Sequence, residues 1–159
     1  MADVIFEDYT IEVQGEIDDR INAVLEEAAG EMVSAAKRNT SVGKVNGSKT
    51  KNSWQYKVDD ATHTADIGNP EETAIWLEMG TGEYALEGNG RKGGWYIPIG
   101  AGGISRAVVD AYGFKVIKGK DGREFAFTRG MKPQRPFWKA YNSMKSKIIN
   151  YIKNSFKGM

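Results

Sequence analysis

The chain has 159 residues, 40% hydrophobic and 27% charged, with 19 glycines, no cysteine and a net charge of +1. That length suits one domain, expected to run over 1–159 and to be stable without metals or crosslinks. The absence of cysteine excludes a disulfide framework and any thiolate zinc site, and no apolar run approaches the roughly 20 residues needed to span a bilayer.

Met1 to Thr10 is acidic rather than basic and apolar, so no export signal is expected. Ile11 and Val13 alternate with Glu12 and Gln14, a short strand pattern ending at Gly15. Ile17, Ile21, Val24, Leu25, Ala28, Met32, Ala35 and Ala36 then recur at steps of three and four, which predicts an amphipathic helix from about Ile17 to Arg38. Acids at its start and Lys37 and Arg38 at its end suit the helix dipole. Asn39 to Ser53 is polar and glycine-bearing and reads as a mobile loop.

Trp54, Tyr56 and Val58, followed across a short turn by His63, Ala65 and Ile67, predict an antiparallel hairpin. Pro70 can start a short helix carrying Ala74 to Met79, which Gly80 would stop. A glycine-rich insertion occupies about 83–127. Within it Trp95, Ile97 and Ile99 read as a strand that Pro98 places at an edge. Phe114 to Ile117 and Glu124 to Phe127 flank a Gly-Lys-Asp-Gly turn and form a second hairpin. Pro136 opens a last helix with the stripe Phe137, Tyr141, Met144, Ile148, Ile152 and Phe156, ending at Gly158. The fold class is α+β: a small, mainly antiparallel sheet of four to five strands packed with a long N-terminal and a long C-terminal helix.

Charge is segregated along the chain. Met1 to Ala36 holds ten acids against Arg20 alone, Arg129 to Met159 holds eight Lys or Arg and no acid, and Lys37 to Lys57 adds six bases without an acid. Three readings stand: neutralisation inside one subunit, head-to-tail pairing of neighbouring subunits, or contact of the basic segments with nucleic acid.

Catalytic patterns are missing. Gly88 to Gly93 has dinucleotide-like glycine spacing, but a loop precedes it and a strand follows, the reverse of what pyrophosphate binding needs. His63 is the only histidine, so with no cysteine a metal site would have to rest on carboxylates alone, and no Gly-x-Ser-x-Gly nucleophile elbow occurs among the serines. No cofactor, metal or catalytic residue is expected. Bases and aromatics interleave from Lys49 to Lys57, either as a stacking surface for nucleic acid or as a basic loop leading into a strand whose aromatics face the core.

Four stretches in order resemble the head-tail joining or tail-completion proteins of long-tailed phages, the gene-ten-type tail-component family of lambdoid phages. They are Ala35 to Thr40 with Val42-Gly43 and Asn52-Ser53-Trp54; Ala65 to Asn69; Ile75-Trp76-Leu77-Glu78-Met79-Gly80-Thr81-Gly82; and Pro133 to Ala140. The loop at Lys44 to Lys51 and the insertion depart from the family's pattern. The resemblance implies a non-enzymatic virion protein of the neck, made in the host cytoplasm. It would be a ring subunit, such as a hexamer, meeting head-closure or connector proteins and a tail terminator or tail tube. DNA would pass through without sequence-specific binding, and no membrane is involved. Trp76, Glu78, Gly80, Thr81, Gly82, Trp95, Phe114, Lys145, Lys147 and Lys153 are the candidate subunit or partner contacts. Two alternatives are a tail terminator or head-closure protein and a nucleic-acid-binding module using 37–57 and the last helix.

Overall fold

The computed structural model describes residues 10–45 and 48–157. In chain order the elements are α1 (Thr10–Asn39), α2 (Ser48–Asn52), β1 (Gln55–Asp59), β2 (Thr64–Gly68), α3 (Glu72–Met79), β3 (Trp95–Pro98), α4 (Arg106–Tyr112), β4 (Lys115–Lys118), β5 (Glu124–Thr128) and α5 (Pro136–Ser155). The class is α+β, and two long helices bracket the strands.

α1 runs 30 residues, about 45 Å, and begins before the expected Ile17. The Ile11 to Gln14 alternation is helical, not a strand. Four alternating residues without a partner strand gain little, whereas extending an existing helix adds a hydrogen bond for each residue fixed. α1 packs along α5 and against both strands of the β1–β2 hairpin. Its inward stripe of Val24, Ala28, Met32, Ala35 and Ala36 is buried. The core lies where the second half of α1 meets Trp54, Ala140 and Met144, with Ile67, Phe137 and Ile148 against it.

Trp54 is the centre of that core. Its ring stacks on Phe137 at 5.8 Å, and its indole Nε1–H donates to Thr40 Oγ1 at 2.8 Å. The Thr40 hydroxyl in turn donates to Ala36 O at 2.7 Å. A large apolar side chain with one polar atom is thus buried with that atom satisfied.

The strands form two sheets: β1–β2, with Tyr56 opposite Ile67 and Val58 opposite Ala65, and a three-stranded sheet in the order β3–β5–β4, all antiparallel. All three strands of the second sheet come from the insertion: β4 and β5 are joined by a short turn, and β3 pairs with β5 from across α4. β3 is an edge strand, as Pro98 requires.

Two helices were not expected. α2 sits in the segment read as a loop and buries no residue of its own. It is held from outside: Thr50 O accepts from Asn69 Nδ2 at 2.7 Å, the Thr50 and Thr73 hydroxyls meet at 2.5 Å, and Lys49 pairs with Glu71 at 2.9 Å. α4 lies in the insertion and is bounded by Ser105, whose side chain caps Val108 N, and by Gly113 at φ 67. His63, read as a strand residue, instead occupies the β1–β2 turn at φ 51. There Nδ1 meets Asn22 Oδ1 at 2.9 Å and Nε2 meets Asp18 at 3.2 Å, tying the turn to α1. Gly158, the expected stop of the last helix, lies outside the described residues, where α5 ends at Ser155.

Candidate interaction surface

The Trp76 to Gly82 motif is built as a junction. α3 ends at Gly80, whose φ of 73° a side chain would resist. A Cβ there would come within 2.8 Å of Pro133 and of Tyr84 O. The chain then pairs with the segment that returns from the insertion. Thr81 N donates to Met131 O at 2.9 Å, Met131 N donates to Thr81 Oγ1 at 2.9 Å, and Glu83 N donates to Arg129 O at 2.9 Å. Gly82, at φ 60, lies directly against Arg129 O and the Trp95 ring. Gln134 N and Arg135 N both donate to Leu77 O, at 2.7 and 3.1 Å, closing the stem on the end of α3.

Glu78 spans this stem. Its two carboxylate oxygens accept the backbone N–H groups of Phe137 and Trp138 at 2.8 and 3.0 Å. These are the second and third residues of α5, whose amides have no partner inside the helix, and a negative charge there also suits the dipole. Pro136 ahead of them has no N–H to satisfy. Arg135, at φ 55, stacks its guanidinium 3.9 Å from the Trp138 ring centroid.

Beside the junction an open groove of about 590 Å³ is lined by Trp54, Ile67, Ala74, Ile75, Trp76, Met79, Leu86 and Phe137, with Glu78, Glu87, Asn69 and Asn89 among its polar members. Ile75 is 61% exposed, Leu86 47% and Trp76 42%. Trp95 and Phe114, by contrast, are half-buried: Trp95 lies under Arg91 at 5.8 Å, and Phe114 packs on Tyr112 at 6.4 Å.

A second apolar surface runs along α5. The sequence stripe assigned Tyr141 and Ile152 to the core, yet they are exposed, and the inward set is Phe137, Ala140, Met144 and Ile148. At 100° per residue Trp138, Tyr141, Ile149 and Ile152 share an outward face with Lys145 between them. All four are exposed, while Ile152 also lines the cleft between α1 and α5. Counting steps of three and four merged these two adjoining stripes. Separating them needed the position of Ala140, too small to register as an apolar anchor.

Lys145, Lys147 and Lys153 are exposed. Although α1 lies along α5, no Lys or Arg of α5 forms an ion pair with an acid of α1 among the described residues. The two helices meet through apolar contacts and three polar ties, Tyr151 Oη–H to Glu31 at 2.8 Å, Arg20 to Ser155 O at 2.8 Å and Asn39 Nδ2–H to Pro136 O at 3.3 Å. The second tie places the one base of the acidic block at the C-terminal carbonyls of α5.

In the basic segment 37–57, Trp54 is buried but Tyr56 is 39% exposed, Lys49 pairs with Glu71 and Lys44 Nζ donates to Ala111 O at 2.9 Å, so one of its two aromatics and two of its six bases are engaged by the fold. Among the described residues no group of three His, Asp or Glu side chains is placed to hold a metal ion, and no helix is long and apolar enough to cross a membrane.

No curated protein and no solved structure matches the chain. Residues 6–80, which run through α1, α2, the β1–β2 hairpin and α3 to end on the stem glycine Gly80, match the family model described as Bacteriophage HK97-gp10, putative tail-component, so the family read from the sequence motifs is the family this segment matches.

Proposed function

We propose that this protein is a non-enzymatic structural subunit of the head-tail junction of a tailed phage, completing the tail and joining it to the head as one member of a ring. The observation that carries the reading is the match of residues 6–80 to a phage tail component. The surface is consistent with assembly: bare apolar side chains lie in two places, at Ile75, Trp76 and Leu86 and along α5, where an isolated soluble protein gains nothing from exposing them. Partners in this reading are copies of the chain, a head-closure or connector protein, and a tail terminator or tail tube. The virion neck is its location, after assembly in the host cytoplasm.

Deletion of the coding sequence tests the role. Electron microscopy of the lysate should find filled or fillable heads beside separately made tails, with joining or completion defective. Normal infectious virions from the deletion would overturn it.

A further inference from the structure

We infer that the outward face of α5 docks on the outward face of α1 of a second copy. The inference deepens the assembly reading above by naming the two surfaces that meet.

Charge complementarity is the first ground. Glu16, Asp19 and Glu27 lie on the exposed side of α1, and Lys145 and Lys153 lie on that of α5, none in an ion pair with another described residue. Packing of the two helices within one subunit therefore leaves these five charges without an ionic partner among the described residues, although Glu27 stands beside the Tyr151 hydroxyl of the subunit's own α5. A contact in which one copy offers α5 and the next offers α1 pairs the two signs, and leaves each copy with its other surface free to repeat the contact. Spacing is the second ground. Lys145 and Lys153 are eight residues apart, as are Asp19 and Glu27, so both pairs stand about 12 Å apart along their helices. The third is the presence of apolar anchors on the same face, Ile149 between the lysines and Trp138 and Tyr141 ahead of them. Charge orients such a contact, while burial of Ile149, Tyr141 and Trp138 supplies most of its affinity.

Sedimentation velocity on the purified full chain, at low and high salt, reads the contact directly. Wild type should self-associate. K145E/K153E and D19K/E27K should each weaken self-association by roughly tenfold or more at low salt with unchanged circular dichroism. Mixing the two variants should restore association, because the acidic-faced α5 of one then meets the basic-faced α1 of the other. I149D should abolish association at any salt. The inference is overturned if wild type stays monomeric, if either reversed variant associates like wild type, or if the mixture does not recover. It is likewise overturned if K145E/K153E loses binding to a DNA duplex while self-association is unchanged, which would make α5 a nucleic-acid surface. Because self-association is read on purified protein and the virion role on a phage deletion, either can fail without the other.

Discussion

The carboxylate of Glu78 accepts the backbone N–H of Phe137 at 2.8 Å, so a residue in the last turn of α3 caps the first turn of a helix 59 positions later. With Trp138 N also bound, a single side chain fixes α5 against α3 and closes the stem of the insertion. Replacing Glu78 by Ala leaves two helix amides without this acceptor and should cost about 1 kcal/mol, as loss of an N-cap does. Urea denaturation would read it as a lowered midpoint. Glu78→Gln, which keeps an acceptor oxygen, should recover part of the loss, and an alanine variant with an unchanged midpoint would show that the cap contributes nothing.

Thr40 makes a sharper case because both of its bonds are buried. Thr40→Val keeps the shape but leaves the Trp54 indole N–H without its acceptor, at a cost of about 1–3 kcal/mol. Thr40→Ser, retaining the hydroxyl, should lose less. Equal midpoints for the two variants would mean that the methyl group and not the hydrogen bond matters.

Two glycines with nearly the same φ differ in crowding, and Gly80, at ψ 175, also holds an extended backbone that side chains resist. Gly88, at φ 72, has nothing within 4 Å of an added Cβ, whereas Gly80, at φ 73, would press on Pro133, Tyr84 O and Met131 O. Gly88→Ala should therefore cost only its positive-φ backbone, about 1–2 kcal/mol. Gly80→Ala should cost clearly more and strip amide-exchange protection from Thr81, Glu83 and Met131 ahead of α1. Similar costs for both would remove the packing argument for the Gly-Thr-Gly stem.

The α1–α5 contact has a pH signature. The Tyr151 hydroxyl donates to Glu31, and that hydrogen bond, with burial and the nearby carboxylate charges, pushes its pKa from 10.0 up to about 12. The folded state then holds a proton that the unfolded chain gives up above pH 10, so this contribution is intact below pH 10 and is lost as the pH rises toward 12. Tyrosinate absorbance should show one tyrosine titrating late in the folded protein, absent in Tyr151→Phe. If the variant's stability fell as steeply as wild type's across that range, the Glu31 contact would not be its cause.

Local pattern carried much of the architecture. Apolar steps of three and four set α1 and α5, alternation set the first hairpin and the Gly-Lys-Asp-Gly turn the second, Pro98 set the edge strand, and the motif from Ile75 to Gly82 pointed to the tail-component family. Each of these depends on residues close in sequence, where spacing alone decides which side chains share a face. α2 left no such mark, since nothing in Ser48–Asn52 is buried and its support comes from Asn69, Glu71 and Thr73. Nor could spacing decide what Glu78 does: a carboxylate at the end of α3 serves a neighbour's lysine or backbone amides equally well until α5 is placed beside it.

The same division applies to the surface. Sequence alone determined that acids gather at one end of this chain and bases at the other, because charge is a property of each residue wherever it lies. Whether those blocks neutralise each other depends on which helix faces they occupy once α1 and α5 pack. Only the tertiary structure decided that, by putting small and apolar side chains such as Ala36, Ala140 and Met144 between the helices and turning the lysines of α5 and most of the carboxylates of α1 outward, where water costs a charge least.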